Sequence, residues 1–395
     1  MEALGACHSA PLCLKYRLRK QHPATSGEDE EIVIERGALF RFPLRLANRL
    51  TLAPGTGDPH SNQASRLPRP SLLKLRLNRM RTSVPTAHPM ITVKTSQFAD
   101  AFRTFLPLPA ELDPPLEEAL RHVLDNQGSL VRPRMVFQVA RAYGMDETPA
   151  RELAIALEYF HTASLVFDDL PCMDNALDRR GVPCVHFAFG EAGAILTALA
   201  LINRAYALIW KAVAQAPHSV QPRAMDYIEQ CLGAQGLLNG QSLDLHYATL
   251  PHTRETTEKI ARGKTVSLIR LTLVLPALLG GASTREIQLL ERIALYWGLS
   301  YQMVDDLKDV LGTVADSGKT VARDILLDHP NVASVMGVAG AVQRLTRFIQ
   351  LGDKTLESLL HVRPEMSFLR NLRNALEEEL ARVTQNACTA AGARL

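Results

Sequence analysis

The chain has 395 residues, 47% of them hydrophobic, with a formal net charge of +3 at neutral pH. That is enough apolar material for one large core or two medium ones, and so small a charge excess argues against nucleic acid as the main partner. The six cysteines, Cys7, Cys13, Cys172, Cys184, Cys231 and Cys388, show no close pairs and no His/Cys spacing, which argues against a zinc site and reads as reduced thiols of a cytoplasmic protein.

In chain order, residues 1–97 differ from the rest. The acidic patch Glu28-Asp29-Glu30-Glu31 comes early, and Asp58 is the one acid between Glu35 and Asp100. The same stretch holds Arg41, Arg45, Arg49, Arg66, Arg69, Lys74, Arg76, Arg79 and Arg81 with scattered prolines and no lasting apolar period. This composition predicts a weakly ordered basic leader. An organelle transit peptide is a second reading, opposed by the acidic patch; translation from Met80 or Met90 is a third. The start lacks the basic-then-apolar layout of a secretory signal.

From Phe98 onward apolar residues recur at three- and four-residue spacing over Pro115–Leu124, Pro133–Ala142, Pro149–Phe167, Ala192–Ala214, Ala224–Leu238, Arg254–Leu279, Thr284–Leu311, Val338–Leu351 and Glu365–Ala387. Prolines and glycines punctuate them, and no run alternates as a strand would. Residues 98–395 are therefore expected to form one large all-α bundle domain, with no solenoid repeat. The longest apolar run, Leu268 to Gly281, is interrupted by Arg270, so no transmembrane helix is expected.

Two carboxylate clusters stand out. In Asp305-Asp306-x-x-Asp309 the acids fall within about 100° of one another on a helix and are expected to share one face. They continue the largely apolar run Leu299–Val304, where like charges would repel and lose solvation. A hard divalent cation such as Mg²⁺ resolves that conflict. Alone, such a motif is more often a solvated acidic face. The other cluster, Asp168-Asp169-Leu170-Pro171-Cys172-Met173-Asp174, changes the balance. It closes an apolar helix, Pro171 bends the chain, and Asp178-Arg179-Arg180-Gly181 follows. Carboxylates to bridge through a metal and guanidiniums to grip oxygens suit a diphosphate.

The run His161 to Asn175, then Arg179-Arg180-Gly181-x-Pro183-x-x-His186 and Phe189-Gly190-Glu191, resembles the first signature of trans-isoprenyl diphosphate synthases, the polyprenyl synthetase family. Tyr301 to Val310, with Gly318-Lys319-Thr320 and Arg323-Asp324, resembles the second. Gly240-Gln241-x-x-Asp244 and Lys264-Thr265 between them are also similar to the family. The resemblance is close over residues 115 to 335. It implies the isoprenoid synthase bundle and a Mg²⁺-dependent prenyltransferase with three ions per site. Such an enzyme condenses an allylic diphosphate with the homoallylic isopentenyl diphosphate. Carried over residue by residue, Asp168, Asp174 and Asp305 match metal ligands, with Asp169, Asp306 and Asp309 completing the two clusters. Arg179, Lys264, Thr265, Gln302 and Lys319 match positions that hold the allylic diphosphate, with Gln241 and Asp244 beside them. Arg132, His161 and Arg180 match positions that hold isopentenyl diphosphate. The resemblance further implies a homodimer.

The sequence also departs from the family. In the usual Gly-Lys-Arg-x-Arg-Pro run, Ser129 and Leu130 replace the lysine and first arginine. Losing one charge-assisted contact costs roughly 1.5–3 kcal/mol. His329 stands where a further lysine is usual. Ala163, preceded by Thr162, lies five residues before Asp168, where short-product relatives are bulky; this points to a C20 product, geranylgeranyl diphosphate, with longer chains as the alternative. Two alternatives remain beside elongation: a diphosphate-ionising terpene synthase, and a regulatory subunit of a heteromeric synthase.

Overall fold

The computed structural model describes residues 95–311 and 329–392, all within one unit, Val84–Leu395. The leader and Lys319, with its neighbours Gly318, Thr320, Arg323 and Asp324, lie outside the described residues.

The expected all-α bundle is what the chain forms. Its helices are α1 (Thr95–Thr104), α2 (Pro114–Asp125), α3 (Val131–Ala142), α4 (Glu147–Asp168), α5 (Val185–Ala214), α6 (Gln221–Leu232), α7 (Leu237–Leu245), α8 (Arg254–Ala261), α9 (Ser267–Leu279), α10 (Thr284–Leu311), α11 (Val332–Val362) and α12 (Leu369–Gly392). Among the described residues the sole sheet is a hairpin of two residues a side, β1 (Asp178–Arg179) and β2 (Val182–Pro183), with Arg179 opposite Val182.

Local chemistry sets the boundaries. Proline occupies the first turn of α2 and α6, where its missing N–H costs nothing. Ser283 and Glu286 cap α10 reciprocally: Glu286 Oε2 accepts from the Ser283 amide at 2.8 Å, and Ser283 Oγ accepts from the Glu286 amide at 3.3 Å. Asn331 Oδ1 caps α11 by accepting from Ala333 N at 2.9 Å and Ser334 N at 3.1 Å.

Helices α4 and α9 are apolar nearly all round, and almost every residue from Leu153 to Phe160 and from Leu271 to Leu279 is buried. Such helices belong at a core's centre. α5 runs along α4, and α10 along α11. The expected continuous helix Ala224–Leu238 is broken at Gly233–Gly236 into α6 and α7. The expected Arg254–Leu279 contains a wider, π-helical turn over Arg262–Val266. Among the described residues α5, rather than Leu268–Gly281, is long and apolar enough to cross a membrane, and a third of its most apolar stretch is buried in the fold.

Candidate active site

The first cluster closes on itself at the end of α4. Asp174 N donates to the Asp168 carbonyl at 2.9 Å, Met173 N to Leu170 at 2.9 Å and Ala176 N to Asp169 at 3.2 Å. Asn175 turns the chain with φ 47°. The fold-back brings Asp174 to the same site as Asp168, while Asp169 is buried and grips Arg179, with Nε and Nη2 at 2.6–2.9 Å from its oxygens. This two-pronged pair fixes the base of the hairpin. Arg180 and Gly181 form its turn with φ 58° and 80°, the two left-handed residues of a primed turn. An arginine there costs about 1 kcal/mol. His122 Nε2, donating to the Pro183 carbonyl at 2.9 Å, ties the hairpin to α2.

The opposite wall depends on two glycines. A Cβ on Gly240 would lie 2.2 Å from Lys264 N and 2.4 Å from the Gly263 carbonyl carbon. Only bare backbones let α7 and the π-turn approach so closely. The approach joins the two family-like motifs: Lys264 Nζ lies 2.6 Å from Asp244 Oδ2, and Gln241 Nε2 donates to Asp168 Oδ1 at 2.9 Å. Next to Lys264, Thr265 Oγ1 donates to Gln302 Oε1 at 2.7 Å, and Gln302 Nε2 donates to Asp306 Oδ1 at 2.9 Å.

The second cluster lies in the unbroken helix α10, and its three acids differ in burial. Asp306 is 1% exposed, and its Oδ2 accepts from Val332 N at 2.8 Å. It ties α10 to the start of α11. Asp305 faces solvent and Asp309 is half-buried. His329 enters the site, its ring nitrogens 3.8 Å from Asp174 Oδ1 and 3.6 Å from Asp244 Oδ2. The pull of the Asp244 carboxylate holds its pKa above the usual histidine value, so it supplies part of the charge that a lysine would.

The electrostatics fall into two nests. Burial pushes the Asp168 carboxyl up to about 6; Asp174 and Asp244 push the same way against Lys264 and Arg179. A buried carboxylate with carboxylate neighbours wants a cation, so the hard oxygen donors fit Mg²⁺. Among the described residues no three His, Cys, Asp or Glu groups converge closely enough to hold an ion alone. Substrate phosphate oxygens and water would complete the shell, as Mg²⁺ ordinarily prefers.

In the second nest burial, and then the charges of Arg132, Arg180 and Arg179, drive His161 down to about 2. It is a neutral ring among three guanidiniums. Arg132 Nε is buried with no acceptor among the described residues, a donor suited to an anion. Leu130, at φ 52° and 3% exposed, puts its side chain in the core and leaves Ser129 outside. Sequence reasoning missed Glu158, one turn before His161 and 3% exposed. A charged residue inside the apolar run Leu153–Val166 was its signal.

Residues 113–359 match the model of the polyprenyl synthetase family. The chain belongs to that family. It is 33% identical to a farnesyl diphosphate synthase of Geobacillus stearothermophilus, over 62% of this chain and 82% of that one. It is 37% identical to geranylgeranyl pyrophosphate synthase 7, chloroplastic, of Arabidopsis thaliana, over 56% of this chain and 65% of that one. Two solved structures share its fold. The apo FPP/GFPP synthase of Zymomonas mobilis matches with a TM-score of 0.60 and 27% identity, over 70% of this chain and 94% of that one. A geranyltransferase of Helicobacter pylori, complexed with magnesium and isoprenyl diphosphate, matches with a TM-score of 0.60 and 25% identity, over 74% and 96%.

Proposed function

We propose that this polyprenyl synthetase is a Mg²⁺-dependent trans-prenyltransferase that condenses an allylic diphosphate with isopentenyl diphosphate, giving geranylgeranyl diphosphate (C20). One observation carries the reading. The end of α4 bears a carboxylate nest around Asp168 and, beside it, a cationic nest around His161, with Arg179 felt by both. Two diphosphates would thus be accommodated in two ways, one with the help of a metal and one by cations alone.

In this reading Asp168, Asp174 and Asp305 would hold Mg²⁺, which would supply positive charge to a leaving diphosphate. Asp169 orients Arg179, and Asp306 and Asp309 support the second cluster. Lys264, Thr265 and Gln302 hold the allylic diphosphate, as does Lys319 by family resemblance; Gln241 and Asp244 fix Asp168 and Lys264. The allylic C–O bond breaks with its electron pair going to the diphosphate oxygen. Arg132, Arg180 and the neutral imidazole of His161 hold isopentenyl diphosphate so that its double bond meets the allylic carbon. Loss of one proton completes the longer product. The apolar flank of α4 keeps water from the cation. Ala163, fully buried five residues before Asp168, adds no bulk to the chain's path, which supports C20.

The exposed position of Ser129 and the inward turn of Leu130 favour a second reading, a terpene synthase that ionises the allylic substrate without elongating it. Apolar side chains left exposed on α5 support a homodimer. Plant relatives named as chloroplastic keep an organelle address for the leader beside the cytoplasmic one. Incubation with Mg²⁺ and farnesyl diphosphate, with and without isopentenyl diphosphate, separates the readings. A C20 diphosphate formed only with both substrates is expected; a hydrocarbon or alcohol formed without isopentenyl diphosphate supports the second reading. Asp168→Ala and Asp305→Ala should each abolish turnover, and an unaffected variant would remove that residue from the metal site.

A further inference from the structure

Arg180 owes its place to a residue with no side chain. Its guanidinium reaches from the hairpin turn to the loop between α2 and α3, where Nη1 donates to the Asn126 carbonyl at 3.2 Å. It fills the space a Cβ on Gly128 would need: such an atom would sit 2.6 Å from Nη2, 2.8 Å from Cζ and 3.2 Å from Nε. The loop beneath is held firmly. Asn126 N and Nδ2 both donate to the His122 carbonyl, at 3.2 and 2.7 Å. Gln127 Nε2 bridges the carbonyls of Leu124 and Ala99 at 2.8 and 3.1 Å.

Glu158 stands behind the arginines: burial raises its carboxyl pKa, and the guanidiniums of Arg132 and Arg180 pull it back toward the charged form. Its Oε2 is buried with no hydrogen-bond partner among the described residues, and its charge acts on both Arg132 and Arg180. Keeping such a carboxylate dry is costly. In its charged form it offsets the mutual repulsion of Arg180, Arg179 and Arg132, while the Asn126 carbonyl and the bare Gly128 seat the guanidinium on the loop.

We propose that Gly128 is a positioning residue for the homoallylic diphosphate, because its missing side chain leaves the seat in which the Arg180 guanidinium is held toward that substrate. The inference rests on the prenyltransferase reading above. With Ser129 and Leu130 supplying no charge, the grip on this substrate falls more heavily on Arg180 and on whatever fixes it.

The clash in Gly128→Ala is with the flexible end of an arginine, so the variant folds with an unchanged unfolding midpoint. Its KM for isopentenyl diphosphate should rise about tenfold or more, the weight of one charge-assisted contact. The KM for farnesyl diphosphate should stay within about twofold, the loss falling on the one substrate. Arg180→Ala should raise the same KM, and adding Gly128→Ala to it should change nothing further, since the effect passes through Arg180. Effects that multiply in the double variant, or equal rises in both KM values, overturn the proposal. Calorimetric titration of isopentenyl diphosphate into each protein separates this inference from the activity. Wild-type turnover with no effect of Gly128→Ala refutes the seat alone. No turnover, with binding that Gly128→Ala weakens and Arg180→Ala masks, refutes the activity and keeps the seat. Absence of binding to the wild type overturns both.

Discussion

At the residue scale, Asp168 is a buried carboxyl whose ionisation costs stability. Its pKa rises from 3.8 to about 6 on folding. The folded chain thus holds this proton more tightly than the unfolded one. The associated stability is present below the unfolded pKa and is lost as pH rises through about 6. At neutral pH the metal-free protein bears a penalty of roughly 3 kcal/mol for this one ionised group. Asp168→Asn should therefore raise the unfolding midpoint of metal-free protein at pH 7 while abolishing turnover. Thermal unfolding of both proteins between pH 4 and pH 7 gives the test; curves of the same shape would exclude the mechanism. Nothing in the residue order separates Asp306 from Asp305. Only the arrival of the Val332 amide beside it turns one acid of the cluster into an anchor.

At the element scale the site depends on departures from regular helix. A π-turn carries Lys264 and Thr265 in succession, one toward Asp244 and the other toward Gln302. Wider turns of this kind are expensive and gather at functional positions. The Gly240–Gly263 contact sets how near α7 stands. Gly240→Ala would press a Cβ against backbone, which cannot swing aside as a side chain can. It should cost roughly 2–3 kcal/mol and part Lys264 from Asp244, with the KM for the allylic diphosphate rising. Chemical denaturation and steady-state kinetics check both effects, and a variant as stable as the wild type would show that the two backbones are not in contact. Two further departures form a pair. Gly190 (φ 76°, ψ 162°) kinks α5, and Gly337 (φ 72°, ψ 156°) kinks α11. Each lies five residues into the helix that follows an aspartate cluster in the described chain.

At the scale of the whole molecule, α5 is the unsatisfied element. Leu196, Leu199, Tyr206 and Trp210 are 52%, 50%, 45% and 59% exposed. With Asn203 they follow the three-four spacing of a helix seam. A stripe of large apolar side chains on one helix face calls for a cover, and a second copy offers a matching stripe. Leu199→Glu combined with Trp210→Glu should shift the protein from dimer to monomer in sedimentation analysis, with helix content unchanged. A monomeric wild type would exclude this interface. The same residues explain why α5 is apolar enough to cross a membrane: its outward face carries large apolar side chains, as does the face packed against α4.

The sequence alone determined the class of fold and the chemistry of the clusters. Helical apolar period, capping residues and acid spacing are local properties, and each acts over a few residues of chain. It also located the residues around Asp168 and His161, because their spacing follows the family's motifs. It did not reveal which of those residues meet. That Asp169 takes Arg179, that Asp306 anchors α11, that Glu158 stands behind the arginines and that His329 reaches Asp174 and Asp244 follow from contacts between segments far apart in the chain. Surroundings then decide the charge states: His161 is neutral because burial, and then three guanidiniums, press its pKa down, whereas His329 is drawn toward the charged form by its hydrogen bond to the Asp244 carboxylate, against its own burial.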